Sequence, residues 1–112
     1  MDERKVPVIL VIDDEPAIRL GIVIAIRRHG FQVIEAVDGR DGLQKAREFL
    51  PDVIISDVMM PPPDGFEMKK ILNADPTSAS IPFIFLTARS NQNDRITGIR
   101  DGADDYIAKP FV

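Results

Sequence analysis

The chain of 112 residues contains no cysteine and a single histidine, His29. The absence of cysteine excludes disulfide bonds, thiolate catalysis and cysteine-ligated metal ions, and one histidine cannot form a histidine metal cluster. Any bound metal must therefore be a hard cation that prefers oxygen ligands. His29 falls in the last turn of a predicted helix, and we interpret it as a surface residue that complements the helix dipole, not as a phosphohistidine.

Long hydrophobic runs are also absent, although 45% of the residues are hydrophobic. No apolar run approaches the roughly 18 residues that span a bilayer, and the charged residues 1–5 lack the apolar core of a signal peptide. We therefore expect no membrane association and a cytoplasmic location.

Positive charge is in deficit, since the formal net charge is −4. A domain that binds nucleic acid by itself normally has a basic face, so we expect no direct nucleic-acid binding by this chain. The length suits one domain with a hydrophobic core, and we assign residues 1–112 to a single domain.

Short apolar runs rich in β-branched residues alternate with helical patterns along the chain. The predicted strands cover residues 6–12, 31–37, 53–55, 81–86 and 105–108. Strands that are apolar almost throughout are typical of parallel sheets covered by helices on both faces. The sequence therefore predicts an open, parallel α/β sheet, but the pattern does not give the strand order.

Four helices are predicted between the strands. The first runs from Pro16 to about His29. The second is expected to bury Leu43, Ala46, Phe49 and Leu50. The third opens with a capping box, Asp64 and Glu67, and is expected to bury Phe66, Ile71 and Leu72 before Pro76. The fourth, over residues 91–101, is polar and weakly helical, and we expect it to be the least stable part of the fold.

The first predicted helix has apolar residues on two sides. Its expected sheet-facing residues are Ile18, Ile22, Ala25 and Ile26, and its second apolar face contains Leu20, Val23 and Ile24. Two interpretations stay open for the second face. It packs against a further helix of the same domain, or it forms a homodimer or interdomain contact.

Polar residues follow the apolar strands at their carboxyl ends, where ligand sites of such sheets lie. Asp13 and Asp14 follow the first strand, Asp57 the third, Thr87 the fourth and Lys109 the fifth. Neighbouring carboxylates repel one another unless a counter-charge is present, and Mg²⁺ suits an all-oxygen ligand set. A lysine and a hydroxyl suit a phosphoryl group. These residues predict a Mg²⁺-assisted phosphoryl site with a carboxylate nucleophile, although the acids after the first strand could also be ordinary helix-start residues.

Five blocks of residues resemble those of a response-regulator receiver domain of two-component signalling, over essentially the whole chain. The blocks are Asp13-Asp14, Asp57 with Met60-Pro61 and Asp64-Gly65, Thr87-Ala88, the run Gly102-Ala103-Asp104-Asp105-Tyr106, and Lys109-Pro110-Phe111. The resemblance implies a flavodoxin-like sheet of order 2-1-3-4-5, with the first and third strands side by side. It also implies a final, fifth helix, which is missing after Val112.

The resemblance assigns roles to individual residues. Asp57 would be the phosphoacceptor, taking a phosphoryl group from the phosphohistidine of a histidine kinase or phosphotransfer protein. The implied Mg²⁺ ligands are Asp14, Asp57 and the backbone carbonyl of Met59, with Asp13 acting through water. The implied phosphoryl-binding groups are Thr87, the backbone N–H of Ala88 and Lys109, with a cis peptide before Pro110 orienting the lysine.

The resemblance further implies a switch. Thr87 would move toward the phosphoryl oxygens and Tyr106 would swing inward, changing the surface of the fourth helix and fifth strand toward an output partner or domain. Tyr106 could instead be a half-buried core residue. Met59 and Arg89 would tune hydrolysis of the acyl phosphate, and Pro62-Pro63 departs from the more flexible pair common in the family.

Two other functions compete with a phosphorylation switch. An aspartyl-nucleophile, Mg²⁺-dependent phosphatase normally needs Asp-x-Asp, which Asp57-Val58-Met59 does not offer. A degenerate receiver would act as a phosphorylation-independent docking domain, but each expected site residue is present. We therefore expect a phosphoacceptor domain and not an enzyme with an external substrate.

Overall fold

The computed structural model describes residues 6–88 and 105–109, with side chains for residues 6–86. Its elements are β1 (Val8–Ile12), α1 (Pro16–Arg28), β2 (Gln32–Ala36), α2 (Gly39–Phe49), β3 (Val53–Asp57), α3 (Gly65–Asn73), β4 (Phe83–Ala88) and β5 (Asp105–Lys109). The predicted fourth helix, Arg89 and the peptide before Pro110 lie outside the described residues. The same holds for the side chains of Thr87, Tyr106 and Lys109.

The strands form one parallel sheet in the order β2-β1-β3-β4-β5. The positions of β2, β1, β3 and β4 confirm the flavodoxin-like arrangement, and the backbone of β5 pairs along β4. In the register, Ile12 of β1 lies opposite Ser56 of β3. Because the strands run the same way, the next residues, Asp13 and Asp57, emerge side by side at the carboxyl edge.

Helices cover both faces of the sheet, as predicted. Alternate strand residues point to opposite faces, so each strand contributes to two separate hydrophobic clusters. Helices α2 and α3 cover one cluster, which includes Leu10, Ile12, Ile54, Phe83 and Phe85. Helix α1 covers the other, which includes Ile9, Val11 and Leu86. Burial on both faces explains why the strands are apolar almost throughout.

The expected second apolar face of α1 is smaller than predicted. Val23 is fully buried beside Ile22 in the cluster under α1, whereas Ala25 is exposed. Successive helix residues are about 100° apart and the buried stripe is at least about 100° wide, so Ile22 and Val23 can both lie within it. Leu20 and Ile24 remain exposed, at 56% and 44%.

Three other predicted core residues are exposed: Phe49, Leu50 and Ile71. Leu50 follows the end of α2 with a left-handed backbone (φ 44°), which removes its side chain from the helical face. Phe49 lies at the edge of the α2 stripe, which is made of small residues including Ala46. In α3, Leu72 is buried as predicted, together with Met68 one turn earlier, whereas Ile71 is exposed.

The predicted capping box opens α3. The Glu67 N–H donates to Asp64 Oδ1, and the Asp64 N–H donates to Glu67 Oε1, each at 2.9 Å. Between Asp57 and this cap, the Pro62–Pro63 peptide bond is cis. Among the described residues, no helix has the length and apolar character that crossing a bilayer requires.

Two isoleucines of α1 provide a matched test of its orientation. We expect Ile22→Ala to lower the free energy of unfolding by about 2–5 kcal/mol, because Ile22 is 4% exposed and its removal leaves a cavity. Ile24→Ala should change it by less than about 1 kcal/mol, because its side chain is largely in solvent. Urea unfolding of both variants measures the difference, and equal effects would contradict the orientation of α1.

Candidate functional site

Four carboxylates meet at the carboxyl edge of β1 and β3. Asp13, Asp14, Glu15 and Asp57 each offer one oxygen, and these four oxygens lie within 4.8 Å of one another. Asp13 is 0% and Asp57 4% exposed, whereas Asp14 and Glu15 are exposed. The site therefore has a buried floor and an open, acidic mouth.

The turn after β1 sets the positions of three of these acids. The Asp13 N–H donates to the Ala36 carbonyl (3.2 Å), which keeps Asp13 in line with the sheet. Asp13 Oδ1 then accepts the Glu15 N–H at 2.9 Å, and Pro16 begins α1 at once. Glu15 occupies the N-cap position of α1, but its side chain makes no capping hydrogen bond. These acids therefore also lie where the dipole of α1 favours negative charge, as the helix-start interpretation expects.

Asp57 is held at the end of β3 by backbone contacts on both sides. Its Oδ1 accepts the Met59 N–H at 3.3 Å, and the Val58 N–H donates to the Leu86 carbonyl of β4 at 3.1 Å. The loop then folds back, because the Gly65 N–H donates to the Val58 carbonyl at 3.1 Å. A Cβ at Gly65 would lie 2.6 Å from the Asp57 carbonyl oxygen, so a side chain cannot fit there.

The acidic mouth opens into a shallow groove of about 370 Å³ between the β2–α2 and β3–α3 loops. The groove is lined by Asp14, Val37, Asp38, Arg40, Pro61 and Pro62. The two loops touch directly, since a Cβ on Gly39 would overlap the Pro63 carbonyl. A larger depression of about 520 Å³ lies on the outer side of α2, lined by Arg40, Leu43, Gln44, Arg47 and Glu48, and contains none of the four carboxylates.

The four carboxylates fit a small divalent cation. Oxygen ligands on opposite sides of an octahedral Mg²⁺ lie about 4.2 Å apart at its usual bond lengths, close to the observed upper separation of 4.8 Å. The cluster also provides the charge that such a cation would neutralise, because four neighbouring carboxylates repel one another. The two exposed members, Asp14 and Glu15, leave the site open to solvent.

The other predicted site residues reach the same edge through the backbone register. Asp57 pairs with Leu86, so Thr87 and Ala88 follow directly beside it. Thr87 in turn pairs with Ala108, and Ala88 with Lys109. The ends of β3, β4 and β5 therefore converge on one edge, although the side chains of β5 and of the last two residues of β4 lie outside the described part of the chain.

Sequence reasoning left Glu15 out of the expected site. The available signal was a third consecutive acid after β1, which the resemblance did not assign to metal binding. The residues of the groove, Val37, Asp38 and Arg40, were also missed, because nothing in their pattern indicates that the β2–α2 loop reaches the loop after Asp57.

Comparison with known proteins decides the family. The sequence model of the family described as response regulator receiver domain matches residues 9–112. The chain belongs to the response regulator receiver domain family. This assigns it to two-component signalling.

Two curated relatives differ in how much of them the chain covers. It is 37% identical to protein PilH of Pseudomonas aeruginosa over 91% of the chain and 84% of PilH. It is 43% identical to the transcriptional regulatory protein AfsQ1 of Streptomyces coelicolor over 93% of the chain but 45% of AfsQ1. The chain thus spans about half the length of AfsQ1, and similar fractions of several other transcriptional regulators that it matches.

A solved receiver domain of the same fold contains a magnesium ion. It belongs to the sensor histidine kinase PA1611 of Pseudomonas aeruginosa and has a magnesium ion coordinated in the active-site cleft. The two structures have a TM-score of 0.87 and 31% sequence identity, covering 96% of this chain and 88% of the other. Receiver domains bind Mg²⁺ at an acidic site, and the four carboxylates form such a cluster here.

Mg²⁺ should stabilise the fold through this cluster. At 100 times its Kd, Mg²⁺ is expected to raise the free energy of unfolding by about 2.7 kcal/mol, because it binds the folded state selectively. Asp57→Asn should make the metal-free protein more stable by relieving repulsion, and should reduce the gain from Mg²⁺.

Urea unfolding with and without Mg²⁺ measures both effects. Glu48→Gln is the matched control, because it removes one negative charge from the exposed face of α2, outside the cluster. A wild-type stability that does not respond to Mg²⁺ would contradict metal binding at the four carboxylates.

Proposed function

We propose that the chain is a phosphorylation-dependent signalling switch that accepts a phosphoryl group on Asp57 with Mg²⁺ bound. The observation that carries this proposal is the position of Asp57. It is a buried carboxylate at the end of a central strand, within 4.8 Å of three other carboxylates. The donor is a histidine kinase or a phosphotransfer protein, as expected for a receiver domain.

Asp57 is a better candidate for the nucleophile than its neighbour Asp13. Asp13 is fully buried, and its Oδ1 accepts a hydrogen bond from the Glu15 N–H at 2.9 Å. Asp57 retains 4% exposure, and its hydrogen bond from the Met59 N–H is longer, at 3.3 Å. We assign Asp14, Asp57 and the Met59 carbonyl as direct Mg²⁺ ligands, with Asp13 acting through water.

In the transfer step, a carboxylate oxygen of Asp57 attacks the phosphorus of the donor phosphohistidine. The new O–P bond forms as the P–N bond breaks, and the released imidazole nitrogen takes up a proton from solvent. Bound Mg²⁺ supplies positive charge that offsets the repulsion between the carboxylates and the phosphoryl oxygens. Lys109, the Thr87 hydroxyl and the Ala88 N–H donate hydrogen bonds to those oxygens in the product.

The chain itself promotes both formation and loss of the acyl phosphate, so it is a phosphoacceptor and not an enzyme with an external substrate. Hydrolysis returns Asp57 to its free carboxylate. Met59, whose side chain is 62% exposed beside the site, and Arg89 control the access of water. The lifetime of the phosphorylated Arg89→Ala variant tests the role of Arg89. A lifetime equal to that of the wild type would exclude this role.

The added phosphoryl charge changes the output surface. Thr87 moves toward the new oxygens, Tyr106 turns inward, and the surface of residues 91–101 and β5 changes for an output partner or domain. Coupling of about 1–3 kcal/mol is typical of such switches. We also propose that a cis peptide before Pro110 orients Lys109 toward Asp57, as the family resemblance implies.

Family membership supports a proposal for the wider setting of the chain. Residues 1–112 form one receiver domain that acts in the cytoplasm, without direct contact to nucleic acid or membrane. Its output is a partner protein or another domain, as the longer relatives suggest.

The exposed pair Leu20 and Ile24 of α1 offers a homodimer contact. A monomeric mass of the wild type at high concentration would exclude that contact.

Phosphoryl uptake tests the proposed function. Wild-type protein is treated with Mg²⁺ and acetyl phosphate, or with the beryllofluoride mimic, and is followed by intact mass and NMR. We expect uptake by the wild type and by Glu48→Gln, and none by Asp57→Asn. Chemical-shift changes should extend from the site to Thr87, Tyr106 and residues 91–101.

Two results would contradict the proposal. Equal uptake by Asp57→Asn would place the phosphoryl group on another residue. Absence of uptake by folded wild-type protein, with partner binding that needs neither Mg²⁺ nor phosphorylation, would instead identify a degenerate receiver that acts as a docking domain.

A further inference from the structure

Arg19 connects α1 to both strands that lie beneath its first turns. Its Nη1 donates to the backbone carbonyl of Asp13 at 2.7 Å, and its Nε donates to Glu35 Oε1 of β2 at 3.2 Å. The Arg19 side chain is 16% exposed, so the guanidinium is held between the helix and the sheet. One planar side chain thus joins the end of β1, α1 and β2.

Arg19 contacts the backbone of the β1–α1 turn, which contains Asp13 and Asp14. The Asp13 N–H is already bonded to the Ala36 carbonyl, so the Arg19 contact fixes the other side of the same residue. Two residues later, the Glu15 N–H closes the turn on Asp13 Oδ1. Loss of the carbonyl contact would free the peptide between Asp13 and Asp14 to rotate, and the carboxylates on either side would move with it.

We propose that Arg19 is a positioning residue for the metal site: through the Asp13 carbonyl and Glu35, it fixes the β1–α1 turn so that Asp13 and Asp14 face the cation. The inference rests on the proposed binding of Mg²⁺ by the acidic cluster. Arg19 makes its contact through the backbone of Asp13, not through the carboxylates, so it directs the ligands without occupying them.

Charge and position predict opposite effects when Arg19 is replaced. A positive charge near a cation site weakens cation binding, so electrostatics alone predicts that Arg19→Gln binds Mg²⁺ more tightly. Positioning predicts weaker binding, because the ligands lose their fixed arrangement. Residues that orient metal ligands typically change affinity by about 10–100-fold when mutated. The direction of the change therefore distinguishes the two effects.

The two hydrogen bonds also distinguish arginine from lysine. The guanidinium holds both partners with one planar group, whereas an ammonium is a point charge on a flexible stem. Arg19→Lys keeps the charge but cannot reproduce the two-way contact, so we expect it to bind Mg²⁺ more weakly than the wild type. Binding equal to that of the wild type would overturn the proposal.

Titration of the metal-free protein with MgCl₂, followed by NMR shifts of the Asp14 and Met59 amides, measures the affinity. We expect Arg19→Gln to bind about 10-fold more weakly than wild type. Arg28→Gln is the matched control, because it removes the same charge from an exposed position of α1, and its affinity should stay within about 2-fold. An Arg19→Gln affinity equal to or tighter than that of the wild type would overturn the proposal.

A double-mutant cycle with Glu35→Gln tests the second contact. If Arg19 and Glu35 act through one shared contact, Arg19→Gln/Glu35→Gln should bind Mg²⁺ no more weakly than Arg19→Gln alone. Additive losses would overturn the role of Glu35 in the positioning.

Hydrogen exchange of the Glu15 N–H gives a readout that needs no metal. In metal-free Arg19→Gln this amide should exchange about 10-fold faster than in Arg28→Gln, relative to the core amide of Leu10, because the turn has lost its anchor. Unchanged exchange would overturn the inference. Absence of Mg²⁺ binding by wild-type protein would instead count against the proposed function, and the exchange result would still decide whether Arg19 fixes the turn.

Discussion

Repulsion among carboxylates at one edge of a parallel sheet is the constraint on which this structure depends. The pairing of β1 with β3 puts Asp13 beside Asp57, and the turn into α1 adds Asp14 and Glu15 within 4.8 Å. Such a cluster is stable only if water, hydrogen bonds or a cation offset its charge. The same negative charge attracts a divalent cation, and in the proposed function the site with Mg²⁺ bound then accepts a phosphoryl group.

The surrounding fold holds these charges in place against their repulsion. Apolar residues bury both faces of the strands that end at the site, and they separate into two clusters under α1 and under α2 with α3. Backbone hydrogen bonds anchor Val58 to β4 and Gly65 to Val58, so Asp57 lies in a fixed turn. Arg19 performs the same task for the turn after β1.

The sequence predicted most of the sheet, and the carboxylates at the ends of β1 and β3, for a physical reason. Buried parallel strands need apolar side chains on both faces, so a carboxylate directly after such a run, as at Asp13 or Asp57, is conspicuous. Strand order is different, because it depends on contacts between distant segments that no local pattern records. In this chain the order came from the family resemblance, not from periodicity.

The errors lie where local pattern gives least information. An apolar residue at a helical spacing can lie at the edge of the buried stripe, as Phe49 and Ile71 do, or just inside it, as Val23 does. The role of Arg19 was also hidden, although one signal was present. Arg19 is a charged residue that lies in the chain between Ile18 and Ile22, on the sheet-facing side of α1, where a charge is stable only if it is paired.

The most direct test is the chemical location of the phosphoryl group. Protein treated with acetyl phosphate and Mg²⁺ is reduced with borohydride, which converts an aspartyl phosphate to homoserine, and its peptides are then analysed by mass spectrometry. Homoserine at position 57, formed with Mg²⁺ and not after its removal by a chelator, is the predicted result. Homoserine at position 13 or 14, or an equal yield without Mg²⁺, would contradict a metal-dependent phosphoacceptor at Asp57.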